Sequence, residues 1–131
     1  MKYETKREIG AYGERLAARY LFFHGHRIRE KNYRAGNYEI DLISETRSDV
    51  VFTEVKTRTY ENHAEAETLP PPRHAVNSDK QRFTRQAALA YLRSHRSHKQ
   101  PRMDVIEVLL EKRADGKRPH LITIRHIKAA Y

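Results

Sequence analysis

Two hydrophobic periods alternate along the chain and divide it into elements. Between Lys6 and His24, Ile9, Leu16, Ala17, Tyr20, Leu21 and Phe23 fall close to a helical repeat, which predicts a first helix. Gly25 stands where a helix C-cap favours a residue able to take positive φ. Gly10 and Gly13 lie inside this helix. Each costs about 1 kcal/mol relative to Ala, so they point to a close helix–sheet contact. His26–Arg34 alternates loosely as a short strand. Asn37–Ser44 and Val50–Arg58 alternate more strictly, and the polar run "ETRSD" between them makes a hairpin.

Thr59–Asn77 follows as a long loop containing Pro70–Pro72. A loop of this length reads as a functional flap or a disordered segment. Ser78–Arg93 is the second clear helix, with capping-box spacing between Ser78 and Gln81 and an apolar stripe of Phe83, Ala87, Ala90 and Tyr91. Met103–Leu110 is a buried-looking strand. An Asp-Gly turn at Asp115–Gly116 leads into a last strand, His120–Ile127. The order α-β-β-β-α-β-β predicts one α/β domain over residues 1–131, a mixed sheet flanked by helices.

Composition narrows the setting. The 131 residues suit a single modest core. No cysteine is present, which removes disulfides and thiolate-bound zinc and predicts a reducing, cytoplasmic compartment. Neither a membrane span nor a secretory leader is expected. Lys plus Arg number 26 against 17 Asp plus Glu, a formal charge of +9. That excess favours a polyanionic partner, nucleic acid first. The histidine pairs His24/His26 and His95/His98 lack a convincing third ligand and read as solvated surface residues.

The hairpin carries the chemistry. Glu39 and Asp41 share one strand face and Ile40 and Leu42 the other, while Glu54 and Lys56 share a face on the next strand. With the turn centred at Arg47–Ser48, Asp41 falls opposite Glu54 and Glu39 opposite Lys56. Singly, Glu-x-Asp or Glu-x-Lys reads as a solvated strand face. Together they set two carboxylates against each other, a repulsion that a hard divalent cation, Mg²⁺ or Mn²⁺, would offset. Tyr33, Tyr38 and Tyr60 lie near this cleft and could stack on bases. Tyr12, Tyr20 and Tyr91 read as core aromatics.

The segments "GERLAARYL", "NYRAGNYEIDLIS", "VFTEVKTR" and "RMDVIEV" resemble, in matching order from about Gly10 to Leu110, the YraN family of small, mostly bacterial proteins. That family is related to the PD-(D/E)XK nuclease superfamily, which includes restriction endonucleases and archaeal Holliday-junction resolvases. The resemblance implies a restriction endonuclease-like fold. It makes Asp41 an acidic metal ligand, Glu54 and Lys56 the Glu-x-Lys pair, Glu14 a helix-borne acid turned towards the metal, and Glu39 a supporting acid. Asp41, Glu54 and the Val55 carbonyl would hold the ion. Lys80, Arg58 and Tyr38 would contact nucleic acid, DNA ahead of RNA. Asp104 resembles a late family acid, with a structural ion pair as its simplest use. Resolvase-like relatives act as dimers, so a homodimer is admitted. Two departures stand out: Tyr38 occupies a position that is usually Gly, and Thr53 one that is usually Val. The implied reaction is metal-assisted phosphodiester hydrolysis. The alternatives are a binding module that keeps the fold without cleaving, or a protein-interaction domain using the 59–77 loop.

Overall fold

The computed structural model describes residues 5–68 and 77–131. Helix α1 spans Lys6–Phe23. The Thr5 hydroxyl caps its start by accepting from the Glu8 N–H at 3.1 Å, and Gly25, at φ +84°, ends it. Strands β1 (Arg27–Ala35), β2 (Tyr38–Glu45) and β3 (Asp49–Tyr60) follow. Next come a short helix α2 (His63–Thr68), helix α3 (Ser78–Ser94), and strands β4 (Gln100–Glu111) and β5 (His120–Ile127).

The five strands form one sheet in the order β1-β2-β3-β4-β5. Only β3 and β4 are parallel. A parallel pair needs a crossover, and the chain passes through α2 and α3 between these two strands. The expected mixed sheet flanked by helices is therefore present.

The sheet separates two apolar layers. On one face α1 packs Ala17, Ala18 and Leu21 against Leu42, Ile106, Val108 and Leu110. On the other, Ala87, Ala88 and Tyr91 of α3 meet Ile40, Ile43, Val50, Phe52 and Met103. Residues Met103–Leu110 are buried without interruption because β4 is covered on both faces. A side chain on Gly13 would overlap Thr57, so this glycine makes the expected close contact. Gly10 does not: the space beside it is open.

Several boundaries and faces differ from the sequence reading. Asn77, not Ser78, caps α3, its Oδ1 accepting from the Lys80 N–H at 2.8 Å. The expected 59–77 loop begins later, because β3 runs to Tyr60 and α2 occupies His63–Thr68. The first turn of α2 is fixed by two side-chain bonds: Asn62 Oδ1 accepts from Glu65 N–H, and Glu65 Oε2 accepts from Glu61 N–H. Pro70–Pro72 lie outside the described residues. Phe23 is 70% exposed, since Ala18 takes the inner face of α1 in its place. Phe83 is also exposed, because α3 buries Thr84, Ala87, Ala88 and Tyr91.

A polar network crosses the far end of the α1 face. Arg102 donates to both oxygens of Asp104 at 2.9 Å and to Asp49 at 2.8 Å. His126 lies 2.6 Å from Asp104, and the Ala129 N–H donates to it at 3.0 Å. Burial pushes the Asp104 carboxyl up, but the His126, Arg102 and Ala129 bonds outweigh that and hold it down at about 2. Asp104 is thus the expected structural ion pair, fixing the β5 end to β4. Nearby His26 is 5% exposed rather than solvated, its Nδ1 2.9 Å from the Ser44 hydroxyl. Among the described residues, no helix is long and apolar enough to cross a membrane.

Candidate functional site

The β2–β3 ladder has the expected register as far as it runs: Glu45↔Val50, Ser44↔Val51, Ile43↔Phe52 and Leu42↔Thr53. It stops there. The inferred pairs Asp41–Glu54 and Glu39–Lys56 do not form, because the two strands part beyond Leu42. The Val55 N–H donates instead to Asp41 Oδ2 at 2.8 Å. A side-chain carboxylate thereby replaces a ladder carbonyl, and the strands open around it.

The opening has a second cause on β1. Asn32, at φ +51°, stands between the pairs Lys31↔Leu42 and Tyr33↔Ile40. Its left-handed backbone interrupts the pleat beside Asp41. The alternation expected for β2 fails at this point: Ile40 packs on the α3 side and Leu42 on the α1 side. With its amide nitrogen turned towards the acids, Asn32 donates to Glu14 Oε1 at 2.9 Å and Glu39 Oε1 at 3.2 Å. Sequence reasoning missed this residue. Its only signal was a bare asparagine within a strand, a type tolerant of positive φ.

The parted strands line an open cleft of about 950 Å³. Glu14 and Gly10 of α1 form one wall, with Asp41, Glu54, Val55 and Arg58 across from them. Gly10 lines this wall, and a side chain there would enter open space. Tyr60 also lines the cleft, while Tyr33 packs away from it in the core against Tyr91, ring centroids 5.4 Å apart. Glu54 and Lys56 share a face as expected, with Lys56 Nζ 3.8 Å from Glu54 Oε1. From the first turn of α3, Lys80 Nζ reaches Glu54 Oε2 at 3.6 Å. Glu54 thus stands between two ammonium groups, its side chain 12% exposed. Glu39 lies to one side, paired with Arg34 at 3.5 Å.

The electrostatics are unbalanced towards the acids. Burial is the main cause that lifts Asp41 from 3.8 to about 7; Glu54 and Glu14 add to it, while the Val55 N–H and Lys80 oppose it. Burial also raises Glu14, helped by Glu39 and Glu54. Asp41 Oδ1 takes no hydrogen bond among the described residues. That leaves Oδ1, the Glu54 carboxylate and Val55 on one cleft as hard-oxygen donors. Among the described residues, no three Asp, Glu or His side chains converge to cage an ion. The donor set therefore suits a cation that keeps several waters, as Mg²⁺ does, rather than an all-protein cage.

Comparison with known proteins gives a consistent picture. The family described as "Uncharacterised protein family UPF0102" matches residues 13–108. A UPF0102 protein of Caldanaerobacter subterraneus subsp. tengcongensis is 40% identical over 111 residues, covering 84% of this chain and 86% of its own. One of Pelobacter propionicus is 38% identical over 128 residues, 95% and 83% of the two chains. One of Alkaliphilus oremlandii is 41% identical over 111 residues, 82% and 90%.

Proposed function

Given that the chain belongs to the UPF0102 family, the YraN-like proteins its motifs resemble, we propose that it binds nucleic acid and hydrolyses phosphodiester bonds, DNA ahead of RNA, with Mg²⁺ or Mn²⁺. The observation that carries this reading is the cleft lined by Asp41, Glu54 and Glu14, with Lys56 and Lys80 paired to Glu54. Acids of raised pKa next to paired ammonium groups suit a site that receives both a cation and a phosphate. The net charge of +9 supports a polyanionic partner.

Asp41 Oδ1 and Glu54 would hold the ion, with Val55 beside them. The cation supplies Lewis acidity and a more acidic water. Lys56, close to Glu54, is placed to stabilise charge developing on the phosphate. Lys80 and Arg58 hold the backbone of the substrate. Glu14, steadied by Asn32, is the group available to accept a proton at the α1 wall.

The test incubates purified protein with branched, single-stranded and duplex DNA, with and without Mn²⁺. Cleavage should require the metal and vanish in the double variant Glu54→Ala/Lys56→Ala. Equal cleavage by that variant would remove the catalytic assignment. A second reading, a binder that does not cleave, draws on the absence of a three-acid cage among the described residues. It expects steeply salt-dependent DNA binding with no carboxylate-dependent Mn²⁺ site.

A further inference from the structure

Phe83 belongs by periodicity to the buried stripe of α3, yet it is 38% exposed. Its ring stacks on Tyr38, centroids 5.1 Å apart and planes within 13°. Tyr38 in turn packs against the α3-side core, so the outer ring of this two-ring step belongs to Phe83. On both of its elements the step is close along the sequence to residues of the site. Lys80, which reaches Glu54, lies one helical turn before Phe83, and Tyr38 lies three residues before Asp41.

Cationic groups accompany the step. The Arg82 guanidinium lies over the Phe83 ring, 5.3 Å from its centroid. Lys80 lies one turn earlier on α3 and Arg34 precedes the Ala35 that pairs with Tyr38, while Arg85 is turned to the Tyr131 ring, 5.5 Å from its centroid. The acids in the vicinity, Asp79 and Glu39, are each already paired, with Arg82 at 3.3 Å and Arg34 at 3.5 Å. An exposed aromatic ring under a guanidinium that is itself 66% exposed, one turn from Lys80, fits a nucleobase, which can take the guanidinium's place on the ring or stack with it, rather than a peptide or a lipid chain. In continuous duplex the base faces are covered by their neighbours. Away from duplex ends, only an unpaired base can present one.

We infer that Tyr38 and Phe83 seat an unpaired base beside the cleft, which makes nucleic acid with unpaired nucleotides the substrate class of this site. The inference rests on the nucleic-acid reading above. It also gives a use to Tyr38, which replaces the glycine usual in the motif. Base stacking on an aromatic ring is sequence-tolerant, so the seat selects for strand state and not for sequence.

Fluorescence anisotropy with a labelled single strand of about 20 nucleotides and a blunt duplex of equal length, in buffer with EDTA, tests this. Phe83→Leu keeps an apolar contact for Tyr38, and circular dichroism checks that the fold is retained. The variant should bind the single strand roughly 5- to 150-fold more weakly, with duplex binding unchanged. A strand of the same length made wholly of abasic nucleotides should reproduce that loss in the unmodified protein and bind the variant no more weakly. Single-strand affinity equal to that of the unmodified protein, or equal weakening of strand and duplex, overturns the seat and leaves nucleic-acid binding standing. Failure of the unmodified protein to bind either overturns both.

Discussion

Replacing Asp41 by Asn should stabilise the metal-free protein, and the gain should grow with pH. In the folded chain Asp41 keeps its proton up to about pH 7, against 3.8 for the free group, chiefly because it is buried. Between those values the native state holds a proton that the unfolded state has lost, so stability falls as pH rises. Each pKa unit is about 1.36 kcal/mol, and the full interval caps the cost at about 4 kcal/mol above pH 7. An asparagine carbonyl can still accept the Val55 N–H but cannot ionise. The variant should therefore match the unmodified protein near pH 4 and exceed it by up to about 4 kcal/mol near pH 8. For a chain of this length each kcal/mol is about 4 °C in Tm. The protein has no tryptophan but eight tyrosines, so far-UV circular dichroism with urea, in EDTA, is the suitable assay. A stability difference that stays constant with pH, or a variant less stable near pH 8, would refute the electrostatic account of the site. Added Mn²⁺ should reverse the order, stabilising the unmodified protein and not the variant.

Three further outcomes follow from contacts away from Asp41. Gly13→Ala should cost at least 1–3 kcal/mol by overpacking (about that range for a strained core), because its new methyl meets Thr57; Thr57→Ala in the same chain should recover part of the loss in urea unfolding. Asp104→Ala leaves Arg102 and His126 without their buried partner and should cost about 3–5 kcal/mol by the same measurement. His26 is held down at about 4, first by burial and then by His126 and Arg102. Its contribution is lost as pH falls from about 6.5 through 4, because the unfolded state gains the proton first. An NMR titration should place its imidazole near 4, and a midpoint at its ordinary value would contradict the burial.

Much of the fold could be read from the chain because it rests on local pattern. The hairpin register was set by alternation and a short polar turn, and the pairs from Leu42↔Thr53 to Glu45↔Val50 follow it. The span of β5 was predicted residue for residue. What escaped was whatever depended on partners distant in sequence. His26 reads as a surface residue until Ser44 and His126 close around it. Phe83 reads as core until Ala88 and Thr84 take the inner face of α3. The short helix α2 escaped because its cap, Asn62 with Glu65, sits in a segment otherwise too polar to show a period. Asp41, Glu54 and Glu14 line one cleft, yet the cross-strand pairs inferred for the hairpin charges do not form, since pairing was extended past the point where the ladder ends.

That ending explains why charges run through the most strand-like segments. Had the ladder continued, Asp41 and Glu54 would face each other across a closed pair, a like-charge contact that destabilises a sheet. Instead Asp41 takes the Val55 N–H itself, and Asn32 turns its backbone out of the pleat beside it. The hydrogen bond lost from the ladder is recovered by a side chain, so the Val55 N–H keeps a partner. The same exchange separates the strands and sets the acids around open space rather than against one another. The raised pKa of Asp41 comes first from its burial, with Glu54 and Glu14 adding to it. A cation in the cleft would favour the ionised carboxylate against both, so the burial that weakens the fold above about pH 7 is the cost that metal binding would offset.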